Sequence, residues 1–193
     1  MRVFAAVDLA AQAAEHLDGA LEVMRDAAGS RLRWVHPAQW HITLAFYGRV
    51  PDGSVPDLMQ ALTATAAMSR AMTLRLSGAG SFTGRTLWVG VAGADRADER
   101  ALVDVMASCG ELTTEPDRRR RRGHLTVART GRRSDGTELP GLVRALSVYR
   151  GPAWSVRDVG LYSSELGAGP GGSPRYELLG TASLGHGEGS GVG

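Results

Sequence analysis

The sequence predicts an α+β chain of two duplicated lobes, and three observations carry that reading. First, His41-Ile42-Thr43-Leu44 and His124-Leu125-Thr126-Val127 are one pattern written twice, in the frames HITLA and HLTVA. Second, each motif follows a short apolar strand by a similar interval, about 37 residues from Phe4 to His41 and about 36 from Trp88 to His124. Third, each interval contains an amphipathic helical stretch. Strand, helix and motif strand, twice over, predict lobes related by a pseudo-twofold axis.

Arg2 to Val7 is the first apolar strand. Ala13, Leu17, Ala20, Leu21 and Met24 then recur at three- and four-residue steps, the spacing of one helix face. The His41 motif strand follows. After the Pro51-Asp52-Gly53 turn, Val55 to Met68 reads as a helix with Val55, Leu58, Met59 and Leu62 on one side. Met72 to Leu76 alternates as a strand, and Gly78-Ala79-Gly80-Ser81 is expected to turn out of it. Thr86 to Val91 opens the second half, with a helix through Ala101, Leu102, Val105 and Met106 that stops near Gly110. Pro140 to Leu146 reads as a short helix. Trp154 to Tyr162 and Tyr176 to Leu184 read as two late strands joined by the glycine-rich run Gly167 to Gly172. That run lacks the lysine and hydroxyl of a phosphate-binding loop and opens no helix, so it is a flexible connection. Residues 1–185 read as one bilobal domain, and 186–193 as a mobile glycine-rich tail.

Composition narrows the function. The chain has 193 residues, 43% of them hydrophobic, enough for an independent core. No run of eighteen apolar residues is present, so no membrane span is expected, and no leader with a cleavage site opens the chain. The single cysteine, Cys109, excludes an intrachain disulfide and offers no metal cluster; a reducing cytoplasm is the expected compartment. All 22 basic residues are arginine, yet the net charge is only +2, which argues against non-specific nucleic-acid binding over the whole surface. The charge is concentrated instead. Arg118 to Arg122 lead into the second motif and Arg129 follows it. Such a run is either a solvated loop or a set of phosphate contacts. Adjacency to the motif favours one or two of the five, Arg119 among them, touching substrate.

The motifs carry the chemistry. In a strand, residues two apart share a face, so each motif presents one imidazole beside one hydroxyl and turns Ile42 and Leu44, or Leu125 and Val127, into packing. A lone His-x-Thr is an ordinary half-buried histidine. Two in a chain with 5 histidines arise by chance in about one such sequence in thirty. Two imidazoles and two hydroxyls converging on one volume suit acid–base chemistry at a phosphate: one ring donates a proton, one accepts, and the hydroxyls hold oxygens.

With its opening RVFAAVDL, HITLAFYG, GSFTGRTLWVGV, GHLTVAR and closing VRDVGLYSSELGAGPGGSPRYELL, the chain resembles the two-histidine (2H) phosphoesterases. More specifically it resembles the bacterial RNA 2',3'-cyclic phosphodiesterases, also called 2'-5' RNA ligases (LigT-like). The matching pieces run in order from Arg2 to about Leu184. The resemblance implies two antiparallel sheets with helices outside and the motif strands facing a central cleft. It implies hydrolysis of cyclic phosphate ends of RNA to 2'-phosphomonoesters, with no cofactor and no metal, by a monomer. It makes His41 the proton donor to the 3'-oxygen and His124 the acceptor from water, beside Thr43 and Thr126, with Arg129 at the family's basic position. One departure stands out. Relatives place an aromatic residue and a proline just before the second histidine, where this chain has Arg120-Arg121-Arg122-Gly123.

Around the first motif, Trp34, Trp40, Phe46 and Tyr47 cluster. Strand parity turns Trp40 and Phe46 into packing and gives Tyr47 the parity of His41 unless a bulge intervenes, so Tyr47 and the late Tyr162 are candidate substrate contacts. His16 reads as a surface helix residue, His36 as a turn residue before Pro37, and His186 as part of the tail. Other readings keep the same motifs: 2'-5' ligation of RNA, a phosphodiesterase for small cyclic nucleotides, or a non-catalytic RNA- or nucleotide-binding module. Binding alone needs no pair of acid–base partners.

Overall fold

The structure, a computed structural model, describes residues 1–113, 122–131 and 136–185. Its elements are β1 (Arg2–Asp8), α1 (Ala11–Ala28), β2 (Leu32–Trp34), β3 (His41–Arg49), α2 (Val55–Ala67), β4 (Met72–Phe82), β5 (Thr86–Gly93), α3 (Arg96–Glu111), β6 (His124–Thr130), α4 (Leu139–Leu146), β7 (Arg150–Val156), β8 (Asp158–Glu165) and β9 (Arg175–Ser183). The strands form two antiparallel sheets, ordered β3-β1-β8-β9 and β2-β6-β5-β4-β7. This is the α+β, two-sheet architecture the sequence predicts.

Helix α1 buries Ala13, Leu17, Leu21 and Ala28 along one stripe and ends at Gly29, whose φ of +53° few side chains tolerate. Helix α3 begins at Asp95, whose carboxylate accepts the Asp98 N–H at 2.8 Å, and buries Ala101, Leu102, Val105, Met106 and Cys109. Helix α2 packs on β9 and β8. Helix α3 lies under the seam between the sheets, touching β3 of one and β4 and β5 of the other. Ile42, Leu125 and Val127 are fully buried on that side. Each such side chain contributes about 2 kcal/mol relative to exposure, so the motif strands are anchored by the residues between the functional ones.

The duplication is interleaved. Helix α1 belongs to the first half in sequence but packs on β7 of the second sheet, and β2, a three-residue strand, pairs with β6. A segment that short shows no alternation from which to predict it.

Two expectations are corrected. Trp154 to Tyr162 is not one strand. Trp154 pairs with Leu74 in one sheet and Tyr162 with Phe4 in the other, with the chain changing sheets at Arg157. Apolar alternation continues through the change of partner and so conceals it. Gly78 to Ser81 does not leave the sheet either, because β4 continues to Phe82 through a register shift between Leu76 and Ala79. Gly78 sits in that shift at φ +66°, donating its N–H to the Tyr149 carbonyl at 2.9 Å.

Candidate active site

The two motifs share more than their spelling. On β3, Thr43 faces Ala6 and Ala45 faces Ala5, leaving Leu44 as an extra residue; on β6, Thr126 faces Trp88 and Ala128 faces Leu87, leaving Val127 extra. Each motif thus carries a bulge at the same position, and two consecutive residues, Leu44 and Ala45 or Val127 and Ala128, turn inward and are buried. This explains the frame His-apolar-Thr-apolar-Ala: the second inward residue must be small. It also resets parity, so Phe46 and Arg129 return to the face of the histidines.

Each imidazole is held in the same way. His41 Nδ1 lies 2.8 Å from the Gln39 carbonyl, and His124 Nδ1 lies 3.0 Å from that of Arg122. A carbonyl only accepts, so in both rings Nδ1 carries the proton and donates, and Nε2 is left to exchange protons with a substrate. Thr43 and Thr126 flank these rings on the same strand faces. The pair is close enough to interact: burial lowers the His41 pKa, and the charge of His124 lowers it further, while the Gln39 hydrogen bond and Asp8 raise it.

Asp8 stands directly opposite His41 in the β1–β3 register and accepts a 2.6 Å hydrogen bond from the Tyr162 hydroxyl. The corresponding position opposite His124 is Gly90, which has no charge to offer. Around His41 the rings of Phe4 and Tyr176 pack at centroid distances of 4.9 and 5.0 Å, and Tyr162 stacks on Phe4 at 5.5 Å and 20°. Around His124 stand Phe82 at 4.9 Å and Trp88 at 6.2 Å. The Tyr176 pKa is raised by burial and pulled back by Arg129, which brings a residue of each sheet to one place.

Of the residues expected from sequence, His41, Thr43, His124, Thr126 and Arg129 share this region. Tyr162 joins it through its ring, but its hydroxyl is committed to Asp8. Tyr47 does not join it. The Leu44 bulge turns it to the other side, where its hydroxyl is buried without a hydrogen bond among the described residues and burial raises its pKa, with the nearby Cys109 adding to the rise. Phe46, assigned by simple parity to packing, is 69% exposed beside Phe4 instead. Arg119, with Arg118, Arg120 and Arg121, lies outside the described residues, as does the tail containing His186; Arg122 is exposed. Trp40 is buried and donates its indole N–H to the Val35 carbonyl. The His36 ring accepts the Ala38 N–H at 3.2 Å as a turn residue, and His16 lies 2.9 Å from the Tyr149 hydroxyl. Sequence reasoning missed Asp8, Phe4, Phe82, Trp88 and Tyr176. They sit on other strands of the two sheets, and only the folded arrangement places them beside the motifs. Among the described residues, no three His, Cys, Asp or Glu side chains come together in a way that would hold a metal ion, and no helix is long and apolar enough to cross a membrane.

Paired His-x-Thr strands from two antiparallel sheets are what the resemblance to the two-histidine phosphoesterases implies. Residues 7–88 match the model of the LigT like Phosphoesterase family. An RNA 2',3'-cyclic phosphodiesterase of Geobacillus stearothermophilus is 34% identical over 150 residues, covering 76% of this chain and 46% of that protein. The chain thus spans about half the length of that curated relative. A crystal structure from Thermus thermophilus superposes with a TM-score of 0.73 at 26% identity, over 96% of this chain and 99% of its own. LigT of E. coli complexed with phosphate superposes with a TM-score of 0.68 at 24% identity, over 96% and 98% of the two chains. Residues 7–88 thus carry the pattern of the LigT like Phosphoesterase family, and the whole chain has the fold of these structures.

Proposed function

We propose that this chain hydrolyses 2',3'-cyclic phosphate ends of RNA to 2'-phosphomonoesters, with His41 and His124 as acid and base and no metal in the chemical step. The matched Nδ1 locks carry this reading: two rings prepared identically, each with no Nε2 partner among the described residues, suit transfer of one proton in and one out. Water attacks phosphorus in line with the departing 3'-oxygen. His124 takes the proton of that water as the new P–O bond forms, and His41 gives its proton to the 3'-oxygen as the old bond breaks. The products are a 2'-phosphate and a 3'-hydroxyl. Thr43, Thr126 and Arg129 stabilise charge on the non-bridging oxygens.

The assignment of roles has physical support. A donor must hold a proton before it gives it, and Asp8 opposite His41 favours the charged ring where Gly90 opposite His124 does not. Burial is the larger effect and lowers the His41 pKa overall; the anionic phosphate of a bound substrate would offset it. Relatives support the substrate class: the Geobacillus protein carries the name of this activity, and LigT of E. coli has been crystallised with 3'-AMP. The reading is completed by a monomer, since one chain supplies both motifs, acting in the cytoplasm as a single bilobal domain.

An end-group assay tests it. With a chelator present, the protein should convert an RNA ending in 2',3'-cyclic phosphate into one ending in 2'-phosphate. Exclusive formation of the 3'-phosphate isomer would reverse the assignment of the leaving oxygen. Absence of turnover would remove the reading.

A further inference from the structure

We infer that Arg2 and Arg49 form a subsite for the phosphate that precedes the terminal nucleoside, which makes the preferred substrate an oligonucleotide end rather than a cyclic mononucleotide. This rests on the proposed function and deepens it. Arg2 and Arg49 stand directly opposite each other across β1 and β3, and both are exposed. Like charges at directly opposed positions destabilise a sheet, so an arrangement of this kind gains most when an anion lies between them.

No carboxylate among the described residues pairs with either guanidinium. Asp52, the next acidic residue after Arg49, is held by the chain's amino terminus at 3.1 Å, and Glu165 is held by Arg175 at 2.5 Å. Ser164 lies opposite Arg2 on the other side, adding a hydroxyl to the row.

The row has a definite place in the site. Arg2 alternates with buried Val3 and therefore shares the face of Phe4, the residue packed against His41. Along β1, three successive rows meet that face. Ala6 lies beside Thr43, Phe4 beside Phe46 and Tyr162, and Arg2 beside Arg49 and Ser164. From the Thr43 row to the arginine row is four residues along β1, about 13 Å at the usual strand rise. An arginine leaning back along the strand shortens that to the span of a nucleoside. The order is thus hydroxyl and imidazole, then an aromatic step, then paired cations, which matches cyclic phosphate, nucleoside and preceding phosphate.

The test compares three substrates on wild type and on the Arg2→Gln/Arg49→Gln double variant: a mononucleotide 2',3'-cyclic phosphate, the dinucleotide NpN with the same end, and that dinucleotide with a neutral methylphosphonate linkage. Wild type should show a KM about tenfold lower for NpN than for the mononucleotide. The double variant and the methylphosphonate should each abolish that advantage, and together should do no more than either alone. The mononucleotide should change less than twofold, and melting temperature should hold or rise because a repulsion is removed. Equal losses on all three substrates, or a wild type with no preference for NpN, would overturn the subsite.

Should wild type turn over none of them, the functional reading fails separately, and the subsite is judged by binding of an RNA oligonucleotide ending in 2'-phosphate. The slope of log K against log salt should then fall by about 0.7 in the double variant, and an unchanged slope overturns the subsite.

Discussion

The two motif strands are near copies in backbone and opposites in surroundings. Both carry the bulge after threonine, both fix Nδ1 on the carbonyl two residues upstream, and both bury the apolar residues between. Beyond the frame they diverge. Both rings have aromatic neighbours, but His41 has Asp8 across the ladder, whereas His124 has Gly90 there and exposed arginines on either side. After the bulge, the first motif presents Phe46 and the second Arg129. Identical backbone holds two rings in the same tautomer, and different neighbours give them different surroundings. The proposed roles of the two rings thus assign an asymmetric task to a symmetric frame.

Removing either ring should have the largest effect and should not respect the asymmetry. His41→Ala and His124→Ala are each expected to lower kcat by about 10²–10⁴-fold, since each deletes one proton-transfer partner. Circular dichroism and melting should stay close to wild type, because both rings lie on the site face rather than in the core. A variant that retained more than a tenth of wild-type kcat on a cyclic mononucleotide would show that its ring is not a proton carrier.

The next effect probes a device used in both sheets. A Cβ on Gly160 would lie 2.4 Å from the Tyr162 ring, and one on Gly80 would lie 2.2 Å from the Trp88 ring. In each case an aromatic side chain lies back over a glycine two strand residues away or on the neighbouring strand. Gly160→Ala and Gly80→Ala should each cost about 1–3 kcal/mol by overpacking, read from urea unfolding. If the lobes differ as argued, Gly160→Ala should also alter the pH profile through Tyr162 and Asp8, and Gly80→Ala should not. Equal pH profiles for the two variants would mean that the Tyr162 position does not matter to His41.

Much of this was legible in the sequence, and the limits are physical. The motifs, the helices and most strands follow from periodicity, since local pattern decides them. The site residues on the motif strands follow from the motif itself. What depends on register did not follow: Asp8 beside His41, the aromatic layer of Phe4 and Tyr176, and Phe82 and Trp88 beside His124. A bulge adds one residue to one strand and leaves no mark in apolar alternation, because Leu44-Ala45 and Val127-Ala128 read as ordinary apolar pairs. Hence Tyr47 was expected in the site and Phe46 in the core, and the structure exchanges them.

Asp8→Asn sharpens the contrast between the histidines. Asp8 raises the His41 pKa, so its neutral replacement lowers it. In its proposed role of proton donor, His41 must be protonated, so kcat/KM should fall as pH rises through its pKa. The falling limb should therefore move to lower pH in the variant, with a loss of about two- to fivefold at pH 8 and little change on the acidic side. If the acidic limb moved instead, His41 would be the acceptor and the assigned roles would be exchanged.

The smallest effect separates two accounts of Tyr162. The sequence made Tyr162 a candidate stacking contact for substrate; its hydroxyl donates to Asp8 at 2.6 Å, and its ring is stacked on Phe4. Tyr162→Phe keeps the ring and releases the carboxylate. If the hydroxyl acts by holding Asp8 beside His41, the variant should shift the falling limb in the same direction as Asp8→Asn and by less. The double variant Asp8→Asn/Tyr162→Phe should then match Asp8→Asn alone, because the hydroxyl has nothing left to position. If it touches substrate directly, the two losses should add, and KM should rise in Tyr162→Phe at every pH. The lost hydrogen bond to a partly exposed carboxylate should cost about 1 kcal/mol of stability on either account, so the cycle on the pH profile, and not the melting temperature, decides between them.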